Sequence, residues 1–182
     1  MQLRADERTV LRSPVEADAA PMFALIGRDR AHLRRWLGWV DGVREAADIA
    51  AFIRGVQSRE IEGTSLELVI EHGGELAGVS GFRSLEAANR CGEIGYWLRE
   101  DFGGRGIMTS CCRALLRHGF ESLGLNRIAV AAAVENRRSR AVAERLGFQL
   151  EGVRRDGEWL YDHFVDLAVY SLLRRDPQPP RA

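Results

Sequence analysis

Between Gly92 and Thr109 the chain reads Gly-Glu-Ile-Gly-Tyr-Trp-Leu-Arg-Glu-Asp-Phe-Gly-Gly-Arg-Gly-Ile-Met-Thr, and no other stretch limits the fold as tightly. The apolar, aromatic segment from Ile94 to Leu98 has the make-up of a strand. A polar turn follows and ends in Gly103-Gly104-Arg105-Gly106, after which a helix opens at Ile107. A strand entering a helix through glycines leaves the first-turn N–H groups without partners, at the positive end of the helix dipole. Glycine adds no Cβ that would hold a bulky anion away. The layout therefore predicts a phosphate-bearing ligand beside a strand end.

The 182 residues fit one domain, expected over 1–175 with a disordered tail at 176–182. Charge balances at 26 basic against 26 acidic residues, which argues against nucleic acid as a main partner. All the basic residues are arginine. With no lysine, a Walker phosphate loop and Schiff-base chemistry are both excluded. The cysteines, Cys91, Cys111 and Cys112, form neither a disulfide framework nor a zinc pattern, and His32, His72, His118 and His163 form no ligand set, so no metal is expected. No apolar run approaches a membrane span, and the N-terminal residues lack a signal core. The expectation is a reduced, cytoplasmic protein.

Along the chain, Thr9 to Arg12 reads as a first strand. Ser13, Pro14 and Glu16 read as a capped helix start, with the helix running to about Ile26. His32 to Leu37 and Ala46 to Gln57 read as helices, with Trp36 and Trp39 near the break. Ser65 to Glu71 and Leu76 to Phe82 read as a hairpin around Gly73-Gly74. Ser84 to Arg90 reads as a loop before the Glu93 to Leu98 strand. A helix is expected from Ile107 to about Leu123, a strand over Arg127 to Val134, a helix over Ser139 to Leu146, and a strand opening at Phe148. Asp156-Gly157 signals a turn before a last strand, Trp159 to Leu172. The order is mixed α/β, with an antiparallel front and a strand–helix–strand unit near the middle.

The dinucleotide fingerprint needs a further glycine where Thr109 stands, so a nicotinamide or flavin site is not expected. A second segment, Val134-Glu-Asn-Arg-Arg-Ser-Arg140, follows the next strand. It allows two readings: Asn136 and Ser139 face a ligand, or they cap a turn and a helix. If the strands of Glu93 and Arg127 lie side by side, both helix starts open on one edge.

Together these segments resemble the GNAT superfamily of acyl-CoA-dependent N-acetyltransferases. The glycine turn is similar to its pyrophosphate loop, and Glu135-Asn-x-x-Ser139…Leu146-Gly-Phe148 to its second coenzyme segment. Further runs narrow the resemblance to the RimJ/RimL-type branch, whose best-known members acetylate N-termini of ribosomal proteins: His32 to Leu37, Glu93 to Leu98, Glu151-Gly152, Arg154 to Glu158, and Asp166 to Tyr170. The resemblance extends to about Leu173. Asp101 stands where the family often has Gln or Arg, and Ser110-Cys111 where the branch often has Glu-Ala; neither removes a backbone N–H.

The resemblance implies a mostly antiparallel twisted sheet flanked by helices and splayed at the coenzyme site. It implies acetyl-CoA as cosubstrate, direct attack by an amine, and a protein N-terminus as acceptor, with small amines or non-catalytic coenzyme binding as alternatives; homodimers are common among relatives. Glu158 is the implied base and Glu93 the second choice. Ser139 is the implied partner of the leaving thiolate, with Tyr161 and Tyr170 as alternatives. A backbone N–H near Leu98 would polarise the thioester. Coenzyme contacts are expected from Trp97, Leu98, Arg99, Gly103, Gly104, Arg105, Gly106, Ile107, Met108, Thr109, Asn136 and Ser139. Cys111 and Cys112 read as packing residues rather than acyl carriers, and Trp36, Trp39 and Trp159 as core or cleft walls.

Overall fold

A computed structural model describes residues 1–177. Eight strands form one sheet in the order β1-β2-β3-β4-β5-β6-β8-β7. They are β1 (Gln2–Arg4), β2 (Thr9–Arg12), β3 (Leu66–His72), β4 (Glu75–Glu86), β5 (Cys91–Leu98), β6 (Arg127–Ala133), β7 (Gln149–Leu160) and β8 (His163–Leu173). All neighbours are antiparallel except β5 and β6. That parallel pair spans only Cys91↔Arg127 to Glu93↔Ala129. Beyond it β5 stays with β4 and β6 stays with β8, so the sheet opens as a wedge between them. The splayed, mostly antiparallel sheet matches the expectation.

Helices cover both faces. On one, α1 (Ala19–Arg28), α2 (Arg30–Arg34) and α3 (Ala46–Ile61) pack Met22, Ile26, Leu33, Ile49 and Ile53 against Val69 and Val79 of the sheet. On the other, α4 (Ile107–Arg117) and α5 (Arg137–Arg145) pack Cys111, Leu115, Val142 and Leu146 against Leu68, Phe82, Ile94 and Ile128. Strand alternation divides β5 between the faces: Ile94, Tyr96 and Leu98 turn to the α4/α5 side, and Trp97 turns to the α1–α3 side.

Several local expectations are corrected. Thr9–Arg12 is the second strand, because Gln2–Arg4 folds back along it. Ser13 does not cap a helix: its hydroxyl joins the N-terminal ammonium and Glu60. Asp18 anchors that entry instead, accepting from Val15 N–H at 2.8 Å and from both Arg12 terminal nitrogens. The α2 helix ends by Arg34, and α3 runs on to Ile61. The strand β4 runs on through Ser84–Glu86, so the expected loop shrinks to the turn at Ala87–Arg90. The regular helix from Ile107 stops at Arg117, and wider π-type turns carry the chain over His118–Ser122. Asp156-Gly157 does not reverse the chain but lies in a register break between Arg154 and Glu158; the reversal comes at Tyr161-Asp162, between Leu160 and His163. Asp176 is not loose, since its carboxylate accepts from Leu173 N–H at 2.9 Å. The rest of the expected tail, 178–182, lies outside the described residues.

Phe82 joins the opening's floor to the helix above it. It is fully buried, and it touches the positions where side chains on Gly92 and Gly119 would stand. Phe82→Ala is expected to cost about 3–5 kcal/mol, because the rigid neighbours cannot collapse into the void. Urea unfolding of wild type and variant measures this; a midpoint shift equivalent to well under that range would mean the site can collapse.

Candidate functional site

The glycine turn sits at the wide end of the wedge. After β5, a short 3₁₀ turn (Glu100–Phe102) buries the Phe102 ring in the core. Gly104 and Gly106 then take left-handed φ values of +76° and +79°, a region that costs other residues roughly 1–2 kcal/mol. A Cβ at either would meet nothing within 4 Å, so the backbone conformation and not packing requires glycine there. Gly106 is the N-cap of α4, and the first helical hydrogen bond runs from Ser110 N–H to Gly106 O at 3.0 Å. The N–H groups of Ile107, Met108 and Thr109 precede it and lack helical acceptors. Ile107 and Met108 bury their side chains, so each offers only main chain to a ligand. Cations ring the turn. Arg105 lies over Phe102, Arg138 Nη1 approaches Gly103, and Arg145 donates to the Thr109 hydroxyl at 3.3 Å.

Arg99 has a different occupation. Its guanidinium bonds Asp101 at 2.6 and 3.0 Å and Glu75 at 2.9 Å, and it stacks on Phe102. Asp101, the departure from the family pattern, is thus a partner that ties Arg99 down; the Arg99 hydrogen bond foremost holds its carboxyl below the usual aspartate range.

At the end of β5, Arg99 N–H donates to Ala77 O of β4 at 2.8 Å, away from the wedge. With Trp97 opposite Val79 and Gly95 opposite Gly81, alternation turns the N–H groups of Leu98 and Tyr96 the other way, into the opening. On the facing strand, Asn136 caps α5 by accepting from Ser139 N–H at 3.2 Å. The expected helix start at Ser139 is thereby moved to Asn136. Ser139 Oγ donates to the Tyr96 hydroxyl at 3.1 Å, and that hydroxyl donates to Ser139 O at 2.9 Å. Burial above all raises the Tyr96 pKa, so the phenol stays protonated. Tyr161 and Tyr170 are committed elsewhere, Tyr161 to Leu37 O at 2.5 Å and Tyr170 to Glu144 and Arg140 at 2.8 Å.

On the α1–α3 side of β5, the two carboxylates part company. Glu93 forms an ion pair with Arg83 at 2.7 Å. Arg83 lies across Gly95, its Cδ 3.3 Å from where a Cβ would stand. Glu158, beside the register break in β7, is half-buried. Burial raises its pKa above the ordinary glutamate value, and the Arg83 charge partly offsets that. Trp39 packs on Trp97 with ring centroids 6.1 Å apart, forming a wall beside this face. Trp159 is half exposed and stacks edge-on against Phe164. The hairpin tip is latched to the helical side, with Arg34 over the Tyr161 ring at 3.8 Å.

Cys111 and Cys112 point into the core. Burial pushes both thiols up, Cys112 to about 12, so neither offers a thiolate nucleophile. Among the described residues no group of three or more His, Cys, Asp or Glu could hold a metal ion, and no helix is long and apolar enough to cross a membrane. Sequence reading missed Tyr96 as the partner of Ser139 and Arg83 as the partner of Glu93. The alternation Ile94, Tyr96, Leu98 was a usable sign that Tyr96 faces α5; nothing local marked Arg83.

Comparison with known proteins adds four findings. Residues 8–149 match the family model described as the acetyltransferase (GNAT) domain. The ribosomal-protein-serine acetyltransferase of Escherichia coli (strain K12) is 31% identical over 171 residues, covering 94% of this chain and 96% of that protein. Among solved structures, RimL, named as a ribosomal L7/L12 alpha-N-protein acetyltransferase in complex with coenzyme A, superposes with a TM-score of 0.92 at 28% identity, over 95% of this chain and 98% of that one. The microcin C7 self-immunity acetyltransferase MccE, in complex with acetyl-CoA and AMP, gives 0.89 at 29%, over 93% and 94%.

The environment of Glu158 yields a direct expectation. Carboxyl-detected NMR titration should place its midpoint above the ordinary 4.5. Arg83→Met removes the cation that favours the carboxylate, so the midpoint should rise further. A Glu158 midpoint that stays put in Arg83→Met would show that the two groups do not interact.

Proposed function

Since this chain belongs to the GNAT acetyltransferase family and is an acetyl-CoA-dependent N-acetyltransferase, we propose that its acceptor is the α-amine at a protein N-terminus, a ribosomal protein in the first instance. The observation that carries the reading is the near full-length match to a ribosomal-protein-serine acetyltransferase. The chemistry of the site agrees with it. An α-amine, with a reference pKa of about 7.7–8.0, is roughly a quarter or more free base near pH 7.5, whereas a lysine-type amine near 10.4 is about a thousandth free. A carboxylate base of modest strength therefore suits an α-amine far better.

In this reading each residue has one task. The N–H groups of Ile107, Met108 and Thr109, with Gly104 and Gly106 leaving room, hold the diphosphate of coenzyme A. Gly103, Arg105 and Asn136 complete that side. Leu98 N–H, turned into the wedge between Trp97 and Arg99, polarises the thioester carbonyl. Glu158 accepts the ammonium proton; Glu93, neutralised by Arg83, holds that cation in place. The free amine attacks the acetyl carbon, the C–S bond breaks with its electron pair leaving on sulfur, the amide nitrogen's surplus proton passes through solvent to that thiolate, and Ser139 turns its hydroxyl from Tyr96 to hydrogen-bond the departing sulfur. Trp39 and Trp97 flank the entering chain end.

A thiol-release assay with acetyl-CoA and a panel of N-terminal peptides tests the reading. Wild type is expected to turn over peptides with a free α-amine and to ignore the same peptides when N-blocked. Glu158→Gln is expected to lower kcat/KM by about 10²–10⁴, while Glu93→Gln loses much less. Full activity in Glu158→Gln would remove the assigned base, and a silent panel with an active polyamine control would replace the acceptor class.

A further inference from the structure

The glycine turn is built on a carboxylate from a distant part of the chain. Asp29 stands at the junction of α1 and α2, serving as the last cap of one and the first of the other. It is only 7% exposed. One oxygen accepts from Arg28 Nε at 2.8 Å. The other accepts from Glu100 N–H, also at 2.8 Å, across 71 residues of sequence. Glu100 begins the 3₁₀ turn, and its carbonyl accepts from Gly103 N–H at 3.0 Å. An unbroken path of hydrogen bonds thus leads from Asp29 through Glu100 to the first residue of the glycine run.

We propose that Asp29 is a positioning residue of the coenzyme loop: by holding Glu100 N–H it fixes the turn from which Gly103–Gly106 springs, and so sets coenzyme affinity from the α1–α2 junction. This rests on the reading above that Gly103–Thr109 binds the diphosphate. Glu100 N–H heads its turn and has no acceptor within it, so without Asp29 nothing in the chain would fix its direction. The other groups around the junction do not replace the contact. Arg28 reaches Asp101 only at 3.5 Å, Arg99 is filled by Asp101 and Glu75, and His32 lies 3.6 Å from the Glu100 side chain rather than its main chain. Neither oxygen of Asp29 bonds to Glu158, Ser139 or Tyr96, so the effect belongs to binding and not to the chemical step.

The test is calorimetry with coenzyme A and initial rates with acetyl-CoA, on wild type, Asp29→Ala, Asp29→Asn and Gly106→Val. Asp29→Ala is expected to weaken the coenzyme A Kd and raise the acetyl-CoA KM roughly ten-fold, the cost of a lost hydrogen bond to a charged carboxylate. Its kcat at saturating acetyl-CoA and its acceptor KM should stay within about two-fold of wild type. Asp29→Asn keeps an oxygen for Glu100 N–H and should recover most of the affinity. Three results overturn the proposal. They are an unchanged Kd in Asp29→Ala, equal losses in the Ala and Asn variants, and a fall of kcat and melting temperature with a rise of both KM values. Gly106→Val separates the two levels. If it binds coenzyme A like wild type, the loop reading fails and the inference with it; if it loses binding while Asp29→Ala keeps it, only the role of Asp29 fails.

Discussion

Everything in this molecule turns on a pairing that stops early. Strands β5 and β6 share three parallel positions and then separate. A sheet edge opened inside a domain is costly unless something uses its donors and acceptors. Here the opening is what allows two helix starts, at Gly106 and Asn136, to face one space. It also leaves the main-chain N–H groups of Tyr96 and Leu98 turned into that space. The two cores on either face keep the wedge from closing, since α4 and α5 hold one side and α1 to α3 the other.

The electrostatics divide into support and chemistry. Around the glycine turn, Arg99, Asp101, Glu75, Arg28 and Asp29 neutralise one another in contacts of 2.6–3.5 Å. Most are surface pairs worth little singly, and their use is geometric: they fix where the turn begins. Arg105, Arg138 and Arg145 are left nearer the turn and make its surround positive. Because every cation here is arginine, each can be shared between a carboxylate and a ring or carbonyl through its planar fork. Across the sheet, Arg83 takes Glu93 as its ion-pair partner, while Glu158 stays half-buried and more basic than an ordinary glutamate.

What could be read from the sequence was what is local. Gly104 and Gly106 announce their left-handed backbone by being glycine, and the Gly73-Gly74 hairpin does the same. The strand alternation of β5 and the caps near Asn136 lie within a few residues of the features they predict. Contacts between segments were not readable that way. Ser139 meets Tyr96 across 43 residues, and Asp29 meets Glu100 across 71. The β7–β8 reversal was misplaced for a related reason. Asp156-Gly157 carries the stronger turn composition, yet tertiary pairing absorbs it as a bulge. The true reversal uses Tyr161 at φ +59°, a conformation its own sequence does not advertise and that the Leu37 carbonyl and Arg34 hold in place.

The register breaks in β7 have a consequence beyond the placement of Glu158. As the outermost strand, twelve residues long, β7 offers an unpaired rim to any passing chain. Breaks at Leu150/Gly152 and Arg154/Glu158 leave no long straight ladder along it, and Arg154, Arg155 and Asp156 put charge at the second interruption. A stray extended peptide could match only a few residues before losing step. The same kinks that shape a cleft on the inside thus keep the protein's margin from seeding aggregates.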